Sequence, residues 1–333
     1  MNNGDHDMSD HDRARLRTRD FLSLRDFSSE ELSLFFQTAQ DLKRKLRSGE
    51  DHEALKGKTL AMIFHSPSTR TRVSFETGMQ QLGGHAQMIT SEQFWGKERE
   101  SLKDSAKVFS RYVDGVTIRT VSFDDIVEFA KWADVPVINA YCDKEHPCQV
   151  MADLMTTTEK KGTLSGKKTA IVWANSSLNK SAGIVNSTLY VAPKVGMDLS
   201  IACPEGYEPD PSVVAAAKRE AEDEMTDLTI THDMREALDG ADVVHIKAWV
   251  PLYRGLADLT APHLAHPEKY KDWLITPEKL QYAKRDVNIQ HALPVERGVE
   301  ALDEILDGPN SVIYDEAENR LHVQKAILAL LLS

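Results

Sequence analysis

Cysteine is scarce in this chain of 333 residues: Cys142, Cys148 and Cys203 are the only three, and no two stand as C-x-x-C. An odd number without that spacing indicates neither a disulfide framework nor a zinc site, and it fits a reducing compartment, read here as the cytoplasm. Long apolar runs are missing too, since none approaches the roughly 18 residues that a membrane helix needs. The leader carries Asp5, Asp7, Asp10 and Asp12 where a secretory signal would have a basic start and an apolar stretch, so neither secretion nor membrane spanning is expected. Positive charge is in deficit. Lys and Arg total 40 against 52 Asp and Glu, and the net charge of −12 disfavours nucleic acid and anionic membranes as partners. No G-x-G-x-x-G follows an apolar run, so no dinucleotide fingerprint exists.

What is present is ordinary globular composition, 41% hydrophobic and 28% charged, in a chain long enough for two domains that each bury a core. The His- and Asp-rich leader at 2–12 reads as a solvated tail rather than a metal tract. After a helix at 29–46, β-rich runs at 59–64, 86–89, 115–118 and 135–139 alternate with helical ones, among them the stripe Leu102, Ala106, Phe109, Val113. A second series has strands at 170–173, 199–203, 243–247, 287–290 and 312–314, with helices at 180–194, 212–223 and 233–238. This alternation predicts an α/β fold of two doubly wound parallel-sheet domains, divided near Lys160-Lys161-Gly162. Ligands of such sheets bind beyond the carboxyl ends of the strands, where Ser68, Arg119, His146 and His291 fall, so the site is expected in the cleft between the domains.

The segment Ser66-Pro67-Ser68-Thr69-Arg70-Thr71-Arg72 follows the first strand and opens a helix that Gly83-Gly84 stops. Unpaired N–H groups and the positive dipole end favour an anion there. Ser68 can cap the turn, Thr69 and Thr71 donate hydroxyls, and Arg70 offers a planar fork. A small, highly charged phosphate ligand suits these donors; taken alone, the segment fits equally well a basic helix start paired with surface carboxylates.

Three further clusters bear on that choice: His146-Pro147-Cys148-Gln149 at a strand-to-helix mouth, His291-Ala292-Leu293-Pro294 after a strand, and Glu316-Ala317-Glu318-Asn319-Arg320 at the last helix. In order and spacing, the four segments resemble the S-T-R-T, H-P-x-Q, H-C-L-P and terminal-arginine motifs of the aspartate/ornithine carbamoyltransferase family, over nearly the whole chain. The resemblance implies a carbamoyl-phosphate-binding domain at 1–158 joined by the C-terminal helix 316–333, and an amino-acid- or amine-binding domain at 159–315. It implies that Ser68, Thr69, Arg70 and Thr71 hold the phosphate, with Arg320 reaching it. Thr71, Arg119 and His146 would act catalytically on the carbonyl oxygen and Gln149 on the carbamoyl amide, with no metal or organic cofactor. Singly, Arg119 is also compatible with an ion pair to Asp143, and His146 with a turn histidine.

The implied reaction carries a carbamoyl group from carbamoyl phosphate to the side-chain amine of ornithine or a derivative, in arginine biosynthesis, by a homotrimer. Ala292 replaces the cysteine of H-C-L-P, and Lys247-Ala248-Trp249 is similar to the K-[SN]-W of N-acetylornithine and N-succinylornithine carbamoyltransferases. Trp173, Leu178-Asn179 and the loop residue Trp95 resemble the same subgroup, in which the loop tryptophan serves a neighbouring subunit; packing is the alternative for these tryptophans. Glu296 stands where that subgroup has arginine, which suggests a neutral or cationic substrate group. The amine-binding set is therefore Trp95, Asn179, Lys247, Trp249, His291, Ala292, Leu293 and Glu296. Putrescine or another diamine as acceptor, and a non-catalytic paralogue that only binds carbamoyl phosphate, are the alternatives.

Overall fold

The computed structural model describes residues 14–94, 99–254 and 269–333; the leader at 2–12 and Trp95 lie outside the described residues. By packing, the chain divides into two compact units, one running to Ala140 and including Leu321–Ser333, the other Tyr141–Arg320.

In the first unit β1 (Thr59–Phe64) is buried at five of six positions because it lies inside the sheet, whose order is β2-β1-β3-β4 with β2 (His85–Thr90), β3 (Gly115–Arg119) and β4 (Val137–Tyr141). β1 pairs in parallel with β2 on one side and β3 on the other. A strand buried on both faces reads as a continuous apolar run, which is why Leu60 to Phe64 carry no alternation. Helix α1 (Ser29–Ser48) begins with a reciprocal box in which the Ser28 hydroxyl accepts the Glu31 N–H and Glu31 accepts the Ser28 N–H. It ends at Gly49, whose φ of +73° suits glycine. Its buried face puts Phe35 edge-on to Phe21 and Phe27, ring centroids 5.4 Å away. The β1–β2 connection is α2 (Thr69–Gln81), followed by α3 (Leu102–Phe109) before β3 and α4 (Phe123–Trp132) before β4.

The second unit starts with α5 (Pro147–Lys161) and builds a sheet ordered β7-β6-β5-β8-β9 from β5 (Lys168–Trp173), β6 (Asp198–Ala202), β7 (Leu228–Thr231), β8 (Val243–Lys247) and β9 (Asn288–Gln290). Every pairing is parallel. The crossovers include α6 (Gly183–Val191), α7 (Pro211–Glu224) and α8 (Met234–Leu238); α9 (Pro277–Leu280), α10 (Asp303–Leu306) and α11 (Ile313–Leu332) surround β9. Ala170, Val172, Val244, Ile246 and Ile289 form the centre of its core. Two parallel-sheet α/β domains are thus the observed fold.

Three local expectations change. The run at 312–314 is no strand: Ser311 makes a single bridge to Ile289 and α11 starts at Ile313, because the acidic, helix-forming residues that follow favour a helix over the short β-branched run. The helix expected at 180–194 is shorter, and Lys180 and Ser181 stay in the loop that precedes it. β7 was unexpected as an edge strand, being only half buried and so lacking an apolar signal. By packing, α5 groups with the second unit. Among the described residues no helix is long and apolar enough to cross a membrane.

Candidate active site

In the first unit the end of β1 turns into α2 through Ser68, whose hydroxyl accepts the Thr71 N–H at 3.4 Å and donates to the Thr71 Oγ1 at 2.9 Å. Thr71 is buried, while Thr69 and Arg70 face out. Of the two arginines here, Arg72 is tied to Glu76 at 2.9 Å. Arg70 has no hydrogen-bond or ion-pair partner among the described residues, and partial burial lowers its pKa. A half-covered guanidinium beside a helix N-terminus, without a carboxylate of its own, has the chemistry to receive an anion. A cavity of about 570 Å³ opens against this turn, lined by Ser68 and Thr69 and bounded on the far side by Thr90 and Glu92. Arg119 ends β3, directly opposite Phe64 at the end of β1, and its carbonyl accepts the His65 N–H at 2.8 Å. The S-T-R-T segment and Arg119 therefore share the carboxyl edge of one sheet.

In the second unit His146 caps α5, with Pro147 in the first turn where its missing N–H costs nothing. The His146 N–H lies 3.0 Å from the Ser187 hydroxyl and 3.2 Å from the Gly183 carbonyl, and its ring meets Tyr141 edge-on. These bonds fix the turn on which the imidazole is carried. Gln149, one turn into α5, is fully engaged through its amide nitrogen, which donates to Asp153 Oδ1 and to Glu316 Oε1, each at 2.7 Å. Its Oε1 accepts Arg320 Nη1 at 2.8 Å. Gln149 and Arg320 thus meet within one unit, and the bond between them spans 171 positions in sequence.

Asp153 and Glu316 are both buried and hydrogen-bonded to one another; burial raises both carboxyl pKa values, most strongly for Glu316, against the lowering effect of Arg320. Two carboxylates this close cannot both ionise, so the pair retains a proton. His245 lies beside them, its Nδ1 3.6 Å from Asp153 Oδ2, and burial pushes its pKa down to about 3. The spacing of Asp153, His245 and Glu316 would fit a metal ion. Such an ion would have to displace the Gln149 bonds and sit near the Arg320 charge, which the donor set does not favour. The Cys148 thiol, pushed up to about 12 by burial, is no nucleophile at neutral pH.

Apart from Trp95, which lies outside the described residues, the residues expected to bind the amine fall in the second unit. His291 is held at three atoms: its N–H donates to Glu316 Oε2 at 2.9 Å, its Nδ1 accepts the Leu293 N–H at 2.9 Å, and its Nε2 meets Glu300 at 2.8 Å. Because Nδ1 accepts, Nε2 carries the proton. The same bond holds Leu293 at φ +44°, a backbone state that costs a non-glycine residue on the order of 1 kcal/mol or more. Ala292 and Asn179 are half buried in neighbouring loops. Lys247, at the end of β8, is buried with its Nζ donating to the Ala248 carbonyl; burial first, then Lys180, brings its pKa down to about 7. The Glu296 carboxylate accepts from the Ser176 hydroxyl at 2.5 Å and the Ser177 N–H at 2.7 Å, which clasps the loop after β5 and leaves it less free for a substrate. Trp249 is 1% exposed, and its indole donates to the Tyr207 carbonyl at 2.8 Å. It also lines a cavity of about 190 Å³ together with Asp143 and Tyr253.

Sequence reasoning missed Asp153, Glu300 and Lys180, and named Glu316 only within the segment that carries Arg320. For Asp153 a signal existed, since it lies four residues after Gln149 on one helix face; the others are brought in from more than 100 positions away or hidden in a run of ordinary acidic residues.

Comparison with known proteins shows the family. Residues 19–159 match the family model "Aspartate/ornithine carbamoyltransferase, carbamoyl-P binding domain", and residues 165–331 match "Aspartate/ornithine carbamoyltransferase, Asp/Orn binding domain". The ornithine carbamoyltransferase of Carboxydothermus hydrogenoformans is 45% identical over 319 residues, which cover 96% of this chain and 99% of that one. The structure of the Pyrococcus furiosus ornithine carbamoyltransferase superposes with a TM-score of 0.87 at 39% identity, over 95% of this chain and 98% of that one. An acetylornithine transcarbamylase complexed with acetylcitrulline does so at 0.84 and 32% identity, over 95% and 99%. With two matched models spanning nearly all of its length and the motif residues held at strand ends and helix starts, the chain belongs to the aspartate/ornithine carbamoyltransferase family.

Proposed function

We propose that this protein transfers a carbamoyl group from carbamoyl phosphate to the side-chain amine of ornithine or an ornithine derivative. The amine nitrogen attacks the carbonyl carbon, a C–N bond forms, the C–O bond to phosphorus breaks, and phosphate leaves with the electron pair while the amine loses a proton. Ser68, Thr69, Arg70 and Thr71 bind the phosphate together with Arg320. Thr71, Arg119 and His146 stabilise charge on the carbonyl oxygen, where loss of one well-placed donor typically costs about 3 kcal/mol of barrier, and Gln149 accepts the carbamoyl NH2. The observation that supports this reading is that all of these residues fall within the two stretches, 19–159 and 165–331, that match the carbamoyl-phosphate-binding and Asp/Orn-binding family models.

Acceptor identity turns on the departures at Ala292 and Lys247. The relatives at 40–45% identity are named ornithine carbamoyltransferases, which supports ornithine, whereas Lys247-Ala248-Trp249 supports an N-acylated form. Further parts of the same proposal are a homotrimer in which Trp95 reaches the next subunit, a cytoplasmic location and a step in arginine biosynthesis. The test is phosphate release from carbamoyl phosphate with ornithine, N-acetylornithine, N-succinylornithine, putrescine, lysine and aspartate. One of the first three is expected to dominate, and Arg70→Ala should cut its kcat/KM by at least about 100-fold with the fold retained. Saturable binding of carbamoyl phosphate with no amine-dependent release would refute carbamoyl transfer.

A further inference from the structure

A primary amide is nearly symmetric in shape, so a glutamine side chain can present either its oxygen or its NH2 to a ligand unless its surroundings choose. For Gln149 the surroundings do choose. Both hydrogens of Nε2 have carboxyl acceptors at 2.7 Å, one on Asp153 and one on Glu316, and Oε1 faces the Arg320 guanidinium at 2.8 Å. Turning the amide over would set its oxygen against two carboxyl oxygens and its NH2 against a cation. Arg320 takes one lone pair of Oε1, and the second is the remaining hydrogen-bonding capacity of this amide. It is an acceptor only.

We propose that Asp153 and Glu316 are positioning residues that lock the Gln149 amide with its oxygen toward the donor, so that the site selects a transferable group bearing NH2 over one bearing methyl. The proposal rests on the reading that Gln149 meets the carbamoyl amide. Burial raises both carboxyl pKa values while the Arg320 charge lowers them, so the pair and the guanidinium compensate one another in the buried cluster. Glu316 additionally holds the His291 N–H at 2.9 Å, which ties the orientation of Gln149 to the H-A-L-P turn.

Two stable probes separate the alternatives: phosphonoacetamide, which carries the carbamoyl-like C(O)NH2, and acetonylphosphonate, in which methyl replaces NH2. Wild type is expected to bind the amide probe about tenfold more tightly, the scale of one buried hydrogen bond. Asp153→Ala and Glu316→Ala, each checked for folding by thermal melting, should shrink that ratio to within about twofold, whereas general damage would weaken both probes alike. Asp153→Asn should restore it, because the amide keeps an accepting oxygen for Gln149 and places its NH2 where Asp153 Oδ2 has no hydrogen-bond partner. A full tenfold ratio in the folded alanine variant, or in whichever of the two folds, overturns the positioning role. Gln149→Ala is the control for the underlying reading: a collapsed ratio there with an intact one in the others rejects the positioning role alone, and an intact ratio in Gln149→Ala rejects the contact itself.

Discussion

Glu300 shows how one buried charge is kept ionised. Burial pushes its pKa up, yet the His291 hydrogen bond and the nearby charges, Lys180 among them, prevail and hold it at about 2. Burial also lowers the His291 pKa, so at neutral pH His291 acts as an N–H donor and Lys180 supplies the positive charge. A carboxyl depressed from 4.5 to about 2 contributes stability that is fully present above pH 4.5 and is lost as pH falls toward 2. Glu300→Gln should therefore lower the melting temperature at pH 7 and flatten its decline between pH 4.5 and 2; parallel curves for variant and wild type in that window would show that Glu300 carries no such linkage.

At the level of elements, site residues sit where a strand ends and a helix starts, and close backbone approach fixes the geometry. Gly183 opens α6 against the turn that carries His146: a Cβ on it would lie 2.9 Å from the Glu145 carbonyl carbon and 3.1 Å from its oxygen. Its own carbonyl accepts the His146 N–H. Gly183→Ala must push α6 away from that turn, because backbone atoms cannot rotate aside as a side chain does. The expected outcome is a loss of 1–3 kcal/mol of stability, about the usual scale for overpacking, with a fall in kcat larger than any change in acceptor KM. Unaltered kcat in the folded variant would mean that the His146 turn tolerates displacement. The S-T-R-T turn was legible as an element because capping, dipole and hydroxyl chemistry act within four residues. The Gln149 cluster was not, since its acceptors come from α5 and α11, and α11 itself was misread at its start.

For the whole molecule, the C-terminal segment matters beyond the arginine it carries. Leu321–Ser333 packs into the first unit, where Lys325 meets His52 and Gln81, the Leu331 carbonyl accepts the Thr18 N–H, and Leu332 presses on Gly115. Leu328 is fully buried there. Leu328→Ala should cost about 2–5 kcal/mol, through lost transfer energy and the cavity left behind. Urea titration checks this, and a midpoint shift equivalent to under 1 kcal/mol would show that the first unit does not depend on the end of the chain. Two-unit architecture was readable from the alternation of short apolar runs with longer amphipathic ones. Where packing divides the units was not, because α5 is buried on most faces and its sequence does not say which sheet covers it.

The amino-acid order alone determined what short-range physics can encode: parallel strands as unbroken apolar runs, Ser68 as a helix cap, proline after His146, and the succession of motifs that places the chain in its family. Only the tertiary structure decided which charges the protein neutralises for itself. It tied Arg72 to Glu76, Glu296 to two serines and Gln149 to a carboxyl pair, and it left Arg70 without a partner among the described residues. The reason is that the free energy of a charged or amide group depends on burial and on partners within about 4 Å, and those are supplied by segments far away along the chain.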